Sequence, residues 1–178
     1  MIVRWHWIPH SGGLLALVPD SILESVHQGG VALPIRVPSG AAVVRPLHLT
    51  FLSSASMAPL AGMVDPQAVL PQLPAIERIA FEPIVHVAER GPHPEKDLPL
   101  VTKPRRTGFL AVESTAQAQC HAVLCTVVAV LDRASRSYGG PSFAHPEPDR
   151  FFHLSVWNNR NGDTRGSIGN IRSSDRTP

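Results

Sequence analysis

Two short stretches of the chain carry the same arrangement of reactive side chains. His48-Leu49-Thr50-Phe51 and His153-Leu154-Ser155-Val156 both run histidine, apolar, hydroxyl, apolar. Side chains alternate along an extended strand, so each histidine shares a face with its hydroxyl while the apolar pair points the other way. An imidazole, with an ordinary pKa of about 6.5, can give or take a proton at neutral pH. Two of them on opposite sides of a phosphorus atom supply a base for the attacking oxygen and an acid for the leaving one. The two hydroxyls can donate to the non-bridging oxygens as charge builds there. In-line displacement at a phosphodiester is the chemistry this set suits.

The repetition exceeds what composition delivers. Serine and threonine fill 15 + 7 = 22 of 178 positions, so among nine histidines about one His-x-Ser/Thr arises by chance. Requiring apolar residues at the second and fourth positions lowers that to roughly 0.2, and two such matches to a probability of about a few per cent.

The elements that must position these residues can be read around them. A short apolar run, Gly13 to Pro19, is bounded by glycines and a proline and reads as a buried strand. Asp20 then caps a helix striped by Ile22, Leu23 and Val26 and ended by Gly29-Gly30. A strand covers Leu47 to Leu52, with Pro46 at its entrance. From Pro59 to Pro74 helical spacing is broken by Pro66 and Pro71 into short helices or turns. Strands are expected over Ile79 to Glu89 and Thr107 to Glu113, joined by a long hairpin loop from Arg90 to Arg106. Ser114-Thr-Ala-Gln117 has the form of a capping box and opens a helix that ends before Gly139-Gly140. Phe151 to Trp157 is the strand of the second motif, and residues 158–178 read as loop and a loose tail. Each half thus ends in a strand of the same design.

The paired motifs resemble those of the 2H phosphoesterases, a family of two His-x-Thr/Ser strands in two pseudo-symmetric α+β lobes facing one cleft. The resemblance covers most of residues 13 to 160. It implies a single bilobal domain over 1–178 of class α+β, each lobe a small, mainly antiparallel sheet with outer helices around a central cleft. It also implies catalysis without a metal or other cofactor, on RNA ends, 2′,3′-cyclic phosphates, or cyclic or linear oligonucleotides. His48 and Thr50 would then be the first catalytic pair and His153 and Ser155 the second, with His48 the acid and His153 the base in hydrolysis. The Phe152-His153-x-Ser155 form is similar to the RNA-trimming branch of the family. The motif separation, 153 − 48 = 105 residues, is longer than in the ligase-like branch. Trp157-Asn-Asn159 also stands where that branch carries an arginine, with Arg160 displaced.

Other residues admit both a functional and an ordinary reading. Tyr138, the one tyrosine of the chain, is a base-stacking candidate or a helix-end packing residue, and Trp157 is a cleft wall, a base platform or core. Lys103, Arg105, Arg106 and Arg160 could lead an RNA backbone toward the cleft, or form a solvated loop cluster. His6 and His10 stand four apart, but Pro9 opposes a helix there, so no metal site is expected. Cys120 and Cys125, five apart in a helix, form neither a disulfide framework nor a zinc knuckle and point to a reducing compartment. The glycines at 162, 166 and 169 lack the strand and helix of a phosphate loop, which leaves a flap over the cleft as their alternative role.

Bulk properties agree with a monomeric cytoplasmic protein that needs no membrane. Hydrophobic residues make up 43% and charged residues 17% of the chain, mean hydropathy is +0.03, and the N-terminal region has no apolar run long enough for a leader or a span. A net charge of +2 and pI near 8.8 favour an anionic ligand only weakly. The alternative class is a non-catalytic module that binds RNA or a nucleotide on the same fold; a structural, partner-binding protein would have no use for twin motifs.

Overall fold

The computed structural model describes residues 4–8, 13–19, 35, 37–76, 79–92, 103–162, 168 and 171–176. It is mixed α+β, with two antiparallel sheets and a few helices. The chain divides into two compact units, each assembled from three separate segments. The helix expected after Asp20 lies outside the described residues, as do His10, His27 and His93.

The first unit comprises residues 1–18, 48–80 and 113–152. Its sheet has β1 (Arg4–Trp7), β2 (Leu14–Leu17) and β4 (His48–Leu52) in the order β1-β2-β4, all antiparallel. β2 is the central strand, which explains its unbroken apolar sequence: Leu14, Leu15 and Ala16 are all buried although they alternate between faces. β1 has no sequence counterpart above, because four residues that include Arg4 and His6 do not read as apolar. Past β4 come α1 (Ser54–Met57), capped by the Ser53 hydroxyl on the Ser56 amide, and α2 (Pro66–Val69), capped by Asp65 on the Gln67 amide. Each runs into a 3-10 turn, the first at Pro59 and the second at Pro71, one of the two prolines expected to break the pattern; the other, Pro66, opens α2 instead.

The long helix of this unit is α3 (Ser114–Ser137). By length and composition it could cross a membrane; here Ala116, Cys120, Leu124, Val127, Leu131 and Ser135 form a buried stripe at three- and four-residue spacing. It ends where Gly139 takes φ +73° and the Gly140 amide donates to the Ser135 carbonyl at 2.8 Å. The expected capping box does not form. Glu113 is the N-cap, without a side-chain bond, and the Gln117 side chain is engaged elsewhere.

The second unit comprises residues 19–47, 81–112 and 153–178. Its sheet has the order β3-β7-β6-β5, built from β3 (Ala42–Val43), β5 (Phe81–Arg90), β6 (Arg105–Val112) and β7 (His153–Asn158). The β5–β6 ladder reaches Arg90↔Arg105, so pairing extends into what the sequence presented as loop, and Arg105 and Arg106 are strand residues. On β5 the edge position tolerates Pro83, beside the register shift between Phe81 and Val85. A loose tail is also overturned for the described residues. Ile168 and Ile171 are buried, the Ile168 amide donates to Thr107 Oγ1 at 3.0 Å, Arg90 pairs with Asp175 at 2.7 Å and Arg176 with Glu82 at 3.1 Å.

Candidate functional site

In the first unit β4 follows the alternation its sequence predicts. His48 and Thr50 are half-buried, while Leu49 and Phe51 are fully buried. His48 pairs with Leu17 and Thr50 with Leu15, so two leucines of the central strand neighbour the polar pair on its own face. Phe51 packs edge-on against Trp5, ring centroids 4.7 Å apart, and meets Phe152 at 4.9 Å. That last contact joins the final residue of the first motif to the residue directly before the second.

The segment leading to the second motif is tied down inside the first unit. Glu147 Oε1 accepts from the Ser53 amide at 2.9 Å and from the Ser56 hydroxyl. Its other oxygen pairs with Arg150, whose side chain is 9% exposed. Burial alone would raise the Glu147 carboxyl, but the Ser56 and Ser53 hydrogen bonds and the Arg150 charge outweigh it and hold the group below its ordinary range. Asp132 on α3 accepts from the Phe143 amide at 2.7 Å and the Ser142 hydroxyl at 3.0 Å, fixing the other end of the loop.

β7 lies in the second unit between β3 and β6. His153 pairs with Ala111 and Ser155 with Phe109, so the imidazole and the hydroxyl share a face there. His153 is half-buried and Ser155 is 8% exposed. The Phe109 ring stands edge-on to His153 at 5.6 Å and is followed by His86 at 5.4 Å. His86 Nε2 lies 3.1 Å from Glu82, which also holds Arg176. The ring row was not visible in the sequence because strand pairing brings together residues far apart in the chain, and the Glu82–Arg176 pair was not because it joins β5 to the C-terminal segment.

The remaining sequence candidates fall elsewhere. Between Ser155 and Trp157 the register with β6 shifts by one residue, and Trp157 pairs with Gly108. This reverses the alternation and puts Trp157 on the opposite face from His153 and Ser155. The indole lies so close to Gly108 that a Cβ there would come within 2.1 Å of it, and the ring is 4% exposed. Trp157 is therefore core of the second unit and no base platform. Arg105 and Arg106 are at the far end of β6 from Ala111, the partner of His153. The 111 − 106 = 5 residues between correspond to about 17 Å along the strand. Arg106 is paired with Glu89 at 2.6 Å, Arg105 Nε donates to the Gly91 carbonyl, and Arg160 Nη2 donates to the Lys103 carbonyl at 2.9 Å. Together with Asn159, which exchanges hydrogen bonds with Arg106 and donates to the Pro104 carbonyl, these groups close that end of the sheet. Lys103 is exposed there. Tyr138 is the C-cap residue of α3, 55% exposed and in the first unit.

Among the described residues no cluster of histidine, cysteine and carboxylate side chains has the make-up of a metal site. A cavity of about 340 Å³ in the first unit is lined by Phe51, Ile76, Ile79, Cys120 and Val123. Burial pushes the Cys120 thiol up to about 11, so it is protonated at neutral pH and no nucleophile. Compared with protein-family models, curated proteins and solved structures, the chain matches none.

Proposed function

We propose that the chain is a phosphodiesterase of the 2H type, using His48 and His153 as a general acid and base that act together on one phosphodiester. The reading takes the two units as pseudo-symmetric lobes around a central cleft. The observation that carries it is the ring contact between Phe51, the last residue of the first motif, and Phe152, the residue directly before the second, although 152 − 51 = 101 positions separate them in the chain.

The chemistry is balanced with these residues alone. Neutral His153 takes a proton from water as its oxygen attacks phosphorus in a 2′,3′-cyclic phosphate. The bond from phosphorus to one ribose oxygen breaks, and protonated His48 delivers its proton to that oxygen. The Thr50 and Ser155 hydroxyls donate to the non-bridging oxygens, where negative charge is greatest in the transition state. Product is a ribose monophosphate, and proton exchange with solvent resets both imidazoles. RNA suits this mechanism because, in strand cleavage, its own 2′-hydroxyl is a nucleophile held beside the phosphorus, which removes the entropic cost of bringing one in.

The test is incubation in excess EDTA with 2′,3′-cyclic nucleotides, short RNAs of defined ends and cyclic oligonucleotides, with products read by mass. Turnover that persists in EDTA and falls at least about 10³-fold in both His48→Ala and His153→Ala is the expected result. Turnover near the native rate in either variant sinks the two-histidine mechanism. Binding without product, retained in both variants, would instead identify a nucleotide- or RNA-binding module.

A further inference from the structure

His153 is the first residue of β7, and the fifteen residues before it, 138–152, include no helix or strand. A strand that starts from such a loop frays at its first residue unless something replaces the missing ladder. Here one side chain does so. Gln117 Nε2 donates to the Phe152 carbonyl at 2.8 Å, and Gln117 Oε1 accepts from the Phe152 amide at 3.0 Å. A primary amide carries a donor and an acceptor side by side, the same pair an adjacent strand would offer to one residue. Gln117 is itself held in the first turn of α3, where its own amide donates to the Glu113 carbonyl at 2.7 Å. Phe152 is also fixed through its ring, which lies 4.9 Å from Phe51 and 5.1 Å from His121. Its backbone is therefore located from two directions, and one peptide bond later comes the candidate base.

We infer that Gln117 is a positioning residue for His153. The inference rests on the two-histidine reading and adds a residue to it that touches neither substrate nor reacting atoms. Removing the amide takes away both hydrogen bonds that hold the Phe152 backbone, and a shift of about 1 Å in a proton-transfer group costs on the order of 10²-fold in rate.

Two variants separate positioning from mere support of the fold. Gln117→Met keeps length and packing but presents no hydrogen bond to Phe152. Gln117→Glu keeps the acceptor, but when ionised it sets a carboxylate oxygen against the Phe152 carbonyl and regains a donor only when protonated. With a 2′,3′-cyclic nucleotide as substrate, Gln117→Met should lose about 10- to 100-fold in kcat with KM within about twofold of native. Relative to the native protein, Gln117→Glu should recover rate as pH falls from 7 toward 5. Native kcat in Gln117→Met, or a Gln117→Glu profile parallel to the native one, overturns the inference while the two-histidine reading stands. If the native protein turns over no substrate, both fall. Should Gln117→Met fail to fold, the Gln117→Glu profile decides the matter by itself.

Discussion

At position 108 the second sheet accepts only glycine, since the Trp157 indole fills the space a Cβ would occupy. Gly108→Ala forces the ring or the strand to move and should destabilise the protein by about 1–3 kcal/mol, read as a lower urea midpoint with an unchanged slope. The same geometry separates Trp157 from the chemistry. Trp157→Phe should lower stability yet leave kcat near native, and a large loss of kcat at native stability would put the indole back at the site. That His48 shares a face with Thr50, and His153 with Ser155, was legible in the sequence because a period of two needs nothing beyond the strand itself. Trp157 stayed open between cleft wall, base platform and core because one inserted residue in β7 reverses the alternation, and no residue type near Val156 announces it. Gln117 was noticed for the wrong reason. A Ser-x-x-Gln pattern before an apolar helix is how a capping box reads, but the loop that returns to α3 offers the amide a better partner in Phe152.

Among the elements, the loop from α3 to β7 owes its order to polar contacts rather than to regular structure. Glu147 and Arg150 form an ion pair within it, and Arg150 is largely buried. Glu147→Ala would leave that guanidinium buried with its carboxylate partner removed, for an expected loss of about 3 kcal/mol. The pH dependence has a definite sign. The folded carboxyl is held below its ordinary value of 4.5, so its contribution is fully present above pH 4.5 and disappears as pH falls through the depressed value. Native protein should therefore lose stability over that acid range more steeply than Glu147→Ala in denaturant titrations; parallel curves would show that the tie contributes nothing. Helix α3, the short helices between Pro59 and Pro74 and the central strands were legible because proline, glycine and apolar spacing act locally, whereas α1, four residues of Ser, Ala and Met, carries no such signal. Extension of the β5–β6 ladder into Arg105 and Arg106 was not, since what holds it is the cross-strand ion pair from Arg106 to Glu89 and the clasp of Asn159 and Arg160. Composition alone made the same residues look like solvated loop.

Over the whole molecule, the chain passes between its two units five times, after residues 18, 47, 80, 112 and 152. Neither unit is a continuous piece of sequence, although each half of the chain ends in a strand of the same design. A chain ended at residue 152 retains every segment of the first unit and removes β7 and the C-terminal segment from the second. Amide exchange on that shortened protein should find β1, β2 and β4 protected and β5 and β6 open; protection retained in β5 and β6 would mean that this hairpin is stable without β7. The interleaving also dictates a schedule for biosynthesis. Among the described residues β3, made early, has only β7 for a neighbour in its sheet, and β7 is the last strand to be made. On the ribosome, Ala42 and Val43 must wait for more than a hundred further residues before their partner emerges. The nascent protein therefore carries an unfinished sheet through most of translation, so its yield should respond to elongation rate and to the chaperones that shield open strand edges.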